Sequence, residues 1–543
     1  MPTTRSFTTT LIDRLAAHHL GFPPETTSYT TTPLRIPIAT QSGQLELAAD
    51  LYQPVSLPQN QNPLGTILIR SPYGRTTIFS LLSARPYAAR GYTCLLVSSR
   101  GTFSSTGIFE PWRNEEEDGQ AVVQWMRAQG WYTGTFATLG GSYLGFAQWA
   151  VLTSPPQDMV AAVVQCAPHD FAAQLWGAGA LAGEWVAWAE NVLAQEETGG
   201  LQIFRKLGTL ERITAVLEQV ALADSVKAHF RGRAPWIEFV VDHPDISDSF
   251  YDQFRLGEAL ERAETPIFLV SGWYDVFAAQ TMEQYTRLRE RGVKVALLVG
   301  PWNHMQVGLQ SSVYQQSFSW LEEHLGKRKQ EARKAAVQYF VTGAEEWRYA
   351  EKWPPPTSTQ PLYLAPNNLL TNDPPSPEKT SSTFTFNPRQ PTPTVGGNLL
   401  LSGGSKDDTS LTSRHDVLTF TTAVLKTAIE IAGKVTVQLH HSSTTPTADL
   451  FLRLSEVNAK GRSHNITETY RRLDAGRGEE GVVLHLNDCA HRFQKGTRIR
   501  LVVAGASFPQ YAIPQGGGGD GGSVVHTVFH GSELVSKVVL PVV

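Results

Sequence analysis

Ala137-Thr138-Leu139-Gly140-Gly141-Ser142-Tyr143-Leu144-Gly145-Phe146 is the stretch that decides how this chain is read. Ala137–Gly140 reads as a short strand and Phe146–Leu152 as a helix, so Ser142 stands on the turn between them. A serine hydroxyl is a weak nucleophile. It must be presented on a sharp turn near a base, and small neighbours let the backbone turn tightly and let a substrate approach. The spacing differs from a simple Gly-x-Ser-x-Gly, because the second glycine falls one residue later, at Gly145. A glycine-rich strand-to-helix loop with a purely structural role has the same composition.

Outward from this turn the pattern alternates strand and helix. Gly65–Arg70 and Thr93–Ser98 read as buried strands. A helix over Asp118–Arg127 follows the acidic run Glu115–Asp118, which suits the positive end of a helix dipole and reads as a solvated helix start. Val160–Gln165 is apolar again. Repeated strand–helix–strand units predict a parallel sheet with helices on both faces. From Cys166 to Glu264 the pattern turns helical, over Ala180–Leu193, Leu201–Val220 and Ile246–Glu261, and carries Trp176, Trp185, Trp188 and Trp236. Strand–helix alternation then resumes with Thr265–Val270, a helix over Ala279–Arg291 and Lys294–Val299. Ser311–Leu325 and Lys327–Ala335 read as helix. After about Val337, proline-rich linkers give way to short strands, among them Val417–Thr422, Val435–His440, Leu450–Ser455, Val482–Leu486, Ile499–Ala504 and Lys537–Val543. Such spacing predicts an all-β sandwich or jelly roll. Gly516–Gly522 reads as a flexible loop.

The expected fold class is therefore α/β: a sheet domain in two parts (1–165 and 265–345), a helical cap inserted between them (166–264) and a C-terminal β-sandwich (346–543). Roughly three domains suit a chain of 543 residues. Its 46 Lys and Arg against 50 Asp and Glu give a net charge of −4, which excludes a broad electrostatic grip on nucleic acid. The 3 cysteines, Cys94, Cys166 and Cys489, exclude a disulfide framework and have no zinc-site spacing; Cys94 and Cys166 read as buried and inert. Neither a secretory signal nor a membrane helix is evident, so the expectation is a cytoplasmic protein without membrane partners.

A base and an orienting acid must accompany Ser142. The strand Thr265–Val270 runs into Ser271-Gly272-Trp273-Tyr274-Asp275, and Lys294–Val299 runs into Gly300-Pro301-Trp302-Asn303-His304. Both Asp275 and His304 thus fall beyond the C-terminal ends of strands, where open α/β sheets keep their sites. The chain order Ser142, Asp275, His304 is that of α/β-hydrolases. On a strand, His440 and His441 point to opposite faces, which disfavours a shared metal. His526 and His530 are a second histidine couple. No metal or organic cofactor is required.

These motifs resemble those of the CocE/NonD hydrolases, the family of cocaine esterase, α-amino-acid ester hydrolases and bacterial Xaa-Pro dipeptidyl-peptidase. Gly140–Gly145 is similar to the family's Gly-x-Ser-Tyr-x-Gly turn, which accounts for the shifted glycine. The segments ending in Asp275 and His304 resemble its acid and base motifs. Arg70-Ser71-Pro72-Tyr73-Gly74 is similar to the segment whose tyrosine hydroxyl helps form the oxyanion hole, and Arg100–Gly107 to its Arg-Gly-x-x-x-Ser-x-Gly loop. Segments from Pro391 to Tyr511 resemble its C-terminal domain, of galactose-binding-like jelly-roll type. Departures occur at Ser98 and Gln390, where the family usually has Asp.

The resemblance implies a serine hydrolase that cleaves esters or amides of small acyl substrates. Ser142 is then the nucleophile, His304 the base and Asp275 its partner, with an oxyanion hole from the Tyr143 N–H and the Tyr73 hydroxyl. The partner is a small-molecule substrate, and a homo-oligomer is compatible with it. Alternatives on the same triad are an Xaa-Pro dipeptidyl-peptidase, which needs cap carboxylates such as Glu184, Glu190, Glu238 or Asp242 for a free amine, and an acyltransferase. A binding protein with a relic hydrolase is the non-enzymatic reading. Cap tryptophans that face the cleft would suit an apolar or aromatic acyl group.

Overall fold

The computed structural model describes all residues except 1, 41–42, 56–61, 76, 199–212, 220, 329–332, 376–379, 474–480 and 514–521. Its first sheet contains β1 (Thr3–Thr4), β2 (Ser28–Thr40), β3 (Gly43–Val55), β4 (Thr66–Ser71), β5 (Thr93–Ser98), β6 (Phe136–Gly141), β7 (Met159–Gln165), β8 (Ile267–Tyr274), β9 (Val295–Asn303), β10 (Val337–Val341) and β11 (Glu346–Ala350). Their order is β1-β2-β3-β5-β4-β6-β7-β8-β9-β10-β11. The block from β5 through β10 is parallel, and antiparallel strands close both sides. Side chains alternate between two apolar cores. Leu68 and Leu269 point to one face, and Ile67, Ile69, Phe268 and Val270 to the other.

Two sequence expectations shift here. Strands β8 and β9 run to Tyr274 and Asn303, because their ladder continues through an irregularity to the pair Tyr274–Asn303. Asp275 and His304 each follow the last residue of a strand. The hairpin β10–β11 stays in the first sheet, so the expected border at 345/346 cuts through a paired hairpin. The second sheet begins at Ser358.

Between β7 and β8 lie the cap helices, among them Phe171–Trp176, Glu184–Thr198, Leu222–Phe230 and Pro235–Asp242. Their apolar residues join the same core as one face of the sheet. Most of the helix expected over Leu201–Val220 falls outside the described residues; Thr214–Leu217 is helical. Ile246–Glu261 is a 3-10 turn, Ser249–Phe254, and a short helix, Gly257–Arg262, instead of one helix. The helix that starts at Ser311 ends at His324, and the described residues of Lys327–Ala335 are not helical. The loop expected at Gly516–Gly522 lies almost wholly outside the described residues.

The C-terminal strands form a second, 11-stranded sheet system with its own core around Leu439, Leu452 and Leu501. All its pairings are antiparallel except Leu369–Thr371 with Val417–Thr422. His441 faces inward and meets His526 across the sheet at 3.1 Å. His526 therefore pairs with His441 and not with His530, whose ring bonds to Thr380 and Ser382.

Candidate active site

Ser142 sits between the end of β6 and the helix Tyr143–Leu152 with φ 57° and ψ −127°. An L-residue there costs on the order of 1–3 kcal/mol, so the surroundings must hold it. They do: Ser142 N–H donates to Gln165 O at 2.9 Å, and Ser142 O accepts from Gly145 N and Phe146 N at 2.9 and 3.1 Å. The shifted glycine has a plain cause. A Cβ on Gly145 would lie 2.2 Å from the Ala167 Cβ, so only glycine lets this helix lie against the segment after β7.

His304 lines the same cavity as Ser142, at the start of the helix His304–Val307. That turn is fixed by a capping box between Asn303 and Gln306. His304 Nδ1 lies 2.7 Å from Asp275 Oδ1, and Asp275 Oδ2 accepts from the Ser271 hydroxyl at 2.8 Å. Asp275 is fully buried. An ionised Asp275 makes Nδ1 the donor and leaves the Nε2 lone pair free. Phe277 packs edge-on against the imidazole at 5.4 Å.

Tyr73 reaches the serine from the loop after β4. Its hydroxyl bonds to Ser142, accepts from Trp188 Nε1 at 3.3 Å, and burial pushes its pKa up to about 12. The Tyr143 hydroxyl points the other way. It donates to Glu115 Oε1 at 3.0 Å and accepts from Trp112 N–H at 3.0 Å. Burial and Glu115 raise its pKa well above the ordinary value. The backbone N–H of Tyr143 starts the helix and meets no protein acceptor among the described residues.

Ser142, Tyr73, Tyr143 and His304 line one cavity of about 280 Å³. Trp185 and Trp188 line it too, while Trp176 and Trp236 pack in the core. Cys166 also borders the cavity. It is buried, as the sequence suggests, and burial together with Asp275 pushes its thiol pKa far up. Among the described residues, one group has metal-ligand spacing: Cys166, Asp275 and His304, within 4.8 Å. Two of its three members are already bonded to each other.

The structure gives some residues roles that the sequence does not show. Glu115 and Asp118 are not a solvated helix start. Both are buried, because Arg70 and Arg100 pair with them at 2.5 Å each, which ties that helix to the ends of β4 and β5. Asn398, before the second sheet's main strands, donates to the backbone carbonyls of Trp273 and Asp275 at 2.8 and 3.0 Å. Leu400 and Leu401 wall the cavity. Leu400 N–H donates to Glu184 Oε1 at 2.6 Å. Burial, with Asp275 nearby, lifts the Glu184 carboxyl pKa to about 8. The one sequence signal for this wall is the apolar run Leu399-Leu400-Leu401 between glycine pairs in a polar linker.

Residues 42–306 match the X-Pro dipeptidyl-peptidase (S15 family) profile, and residues 330–539 match the X-Pro dipeptidyl-peptidase C-terminal non-catalytic domain. The chain belongs to the CocE/NonD-type serine hydrolases. Cocaine esterase from Rhodococcus sp. (strain MB1 Bresler) is 27% identical to this hydrolase over 562 residues, covering 92% of this chain and 96% of that protein. Two solved structures share the fold. One is an aminopeptidase from the marine sediment archaeon Thaumarchaeota archaeon (TM-score 0.81, 20% identity, 96% and 98% covered). The other is an α-amino acid ester hydrolase (TM-score 0.79, 19% identity, 96% and 98% covered). Among the described residues, no helix of this hydrolase is long and apolar enough to cross a membrane.

Proposed function

We propose that this hydrolase cleaves small, apolar carboxylic esters through a Ser142–His304–Asp275 triad and an acyl-enzyme. Ser142 Oγ attacks the acyl carbonyl while His304 Nε2 takes its proton. The oxyanion is held by the Tyr143 N–H and the Tyr73 hydroxyl. His304 then gives its proton to the leaving oxygen as the C–O bond breaks. Water, activated by His304, splits the acyl-enzyme and restores Ser142. Asp275 keeps the imidazole in the required tautomer and balances its charge.

The observation that carries this reading is the cavity at Ser142. Among the described residues its lining is mostly aromatic and aliphatic, and His304 is the only ionisable side chain there apart from Cys166 and tyrosines. A dipeptidyl-peptidase needs a carboxylate for the substrate's ammonium group. None of the four cap carboxylates named for that task lines the cavity. Glu190 pairs with His229, Glu238 with Gly232 N–H and Asp242 with Lys227 at 3.1, 2.7 and 2.6 Å. Glu184 faces Leu400. An apolar acyl group between Trp185, Trp188 and Phe171 fits this lining, as does the name of the cocaine esterase relative.

The test compares purified protein and Ser142→Ala on short-chain nitrophenyl esters and on a free-amine Xaa-Pro anilide. Ester turnover that disappears in the variant, without anilide cleavage, is expected. Equal or better anilide cleavage would move the protein to the dipeptidase class.

A further inference from the structure

The cavity at Ser142 draws on both cores of the first sheet. Phe171, Trp185 and Trp188 belong to the cap-side core, whereas Leu96, Leu139 and Tyr314 belong to the core on the opposite face. The cavity wall thus has two parts, or arms, one on the cap side and one on the opposite face of the sheet. The reaction proposed above uses the cap-side arm for the acyl group and leaves the other arm without a task.

We propose that this second arm is a leaving-group subsite that takes the straight apolar chain of an ester's alcohol; the proposal rests on the triad reading above. Position favours it first. The helix that begins at His304 places Met305 and Gly308 on the cavity lining, and the Tyr314 hydroxyl of this arm donates to Gly308 O at 2.9 Å. His304 is the group that protonates the leaving oxygen, so the alcohol departs on its side. Chemistry favours it next. Leu82, Leu96, Leu139 and Met305 offer aliphatic wall, and among the described residues no carboxylate lines it to hold a cationic alcohol. Shape is the third point. Leu96, Leu139 and Tyr314 are buried, whereas Leu82, Met305 and Gly308 are half-buried, so the arm has a closed floor and an accessible mouth. A flexible unbranched chain can enter such a space past the mouth residues.

Gly308 makes the arm testable. Its φ is −70°, an ordinary value for any residue, and a Cβ there would meet nothing within 4 Å. A leucine at this position adds bulk without a backbone penalty. Leu82→Trp adds bulk from the helix Thr77–Leu82 on another wall, and guards against a folding defect in either variant.

The experiment measures kcat/KM on two ester series: acetates of methyl to octyl alcohol, and methyl esters of two- to eight-carbon acids. Each methylene buried in the arm should raise kcat/KM by about twofold to fourfold until the arm is full. The hexyl-to-methyl ratio in the acetate series should fall about tenfold or more in Gly308→Leu and in Leu82→Trp. The acyl series should keep its wild-type slope in both. A flat acetate series in wild type, with methyl acetate still turned over, would overturn the subsite alone. Variants that flatten the acyl series instead would assign the arm to the acyl chain and also overturn it. Turnover of both series that survives Ser142→Ala would instead refute the triad reading beneath it.

Discussion

Replacing Tyr73 with phenylalanine removes one hydroxyl from beside Ser142 and little else. The ring is held by stacking on Phe79, with centroids 5.8 Å apart, and by edge contact with Tyr143 at 6.5 Å. Phenylalanine keeps both contacts. What is lost is the bond to Ser142 and the acceptor for Trp188 Nε1 at 3.3 Å. Because that N–H fills one lone pair of the tyrosine oxygen, the hydroxyl proton is free to point into the cavity. The raised pKa, near 12, keeps the group a neutral donor throughout the working pH range. An oxyanion donor acts mainly on the transition state, and its loss typically costs about 100–1000-fold in kcat, or roughly 2.7–4 kcal/mol. The unpaired Trp188 N–H should cost about 1 kcal/mol of stability or somewhat more. Steady-state ester hydrolysis therefore should show kcat reduced about 100-fold or more with KM changed less than about threefold, in a protein that still melts cooperatively. A Tyr73→Phe variant with kcat within about threefold of wild type would refute the oxyanion assignment.

Asn398→Ala removes both amide bonds to the carbonyls of Trp273 and Asp275; kcat should fall by about 10-fold to 100-fold, since misplacement of about 1 Å is that costly, and wild-type kcat would show that the second sheet does not position the acid. Gly145→Ala forces a methyl to 2.2 Å from Ala167; the strain should cost about 1–3 kcal/mol in denaturant unfolding, and an unchanged midpoint would contradict the packing. The Glu184 carboxyl has a folded pKa of about 8 against an ordinary 4.5, so the native state holds a proton that the unfolded chain releases. Its contribution to stability is present below about pH 4.5 and is lost as pH rises through about 8. The groups facing it are Asp275, Tyr511 and the Leu400–Leu401 backbone. Glu184→Gln should thus flatten the fall in thermal stability between pH 5 and pH 9, and an identical slope in both proteins would exclude Glu184 as its source.

Much of the site can be read from sequence because its requirements are local. A serine that must stand at positive φ needs small neighbours, and an acid and a base that serve one sheet edge must each follow a strand. Ser142, Asp275 and His304 satisfy these conditions within a few residues of each motif. The N-terminal part of the sheet is hidden for a physical reason. Pro33 and Pro37 interrupt the alternation of β2, yet β2 is flanked on one side by a strand of only two residues and so tolerates them. Glu115 is hidden because an acidic helix start looks solvated until Arg70, 45 positions away, is folded against it. Asn398, Leu400 and Glu184 act between units far apart in the chain, 216 positions for the Leu400–Glu184 bond. No local pattern reports such a contact. Trp185 and Trp188 show the same limit, since their composition is that of Trp176 and Trp236 and only packing separates wall from core.

The proposed mechanism depends above all on Ser142 as the nucleophile activated by His304. The most direct measurement is labelling with a fluorophosphonate followed by mass analysis of the digested protein. One stoichiometric adduct is expected on the peptide that contains Ser142, formed in step with the loss of esterase activity, with labelling at least about 1000-fold slower in His304→Ala. An adduct on another residue, or an enzyme that loses activity while Ser142 stays unmodified, would contradict the mechanism.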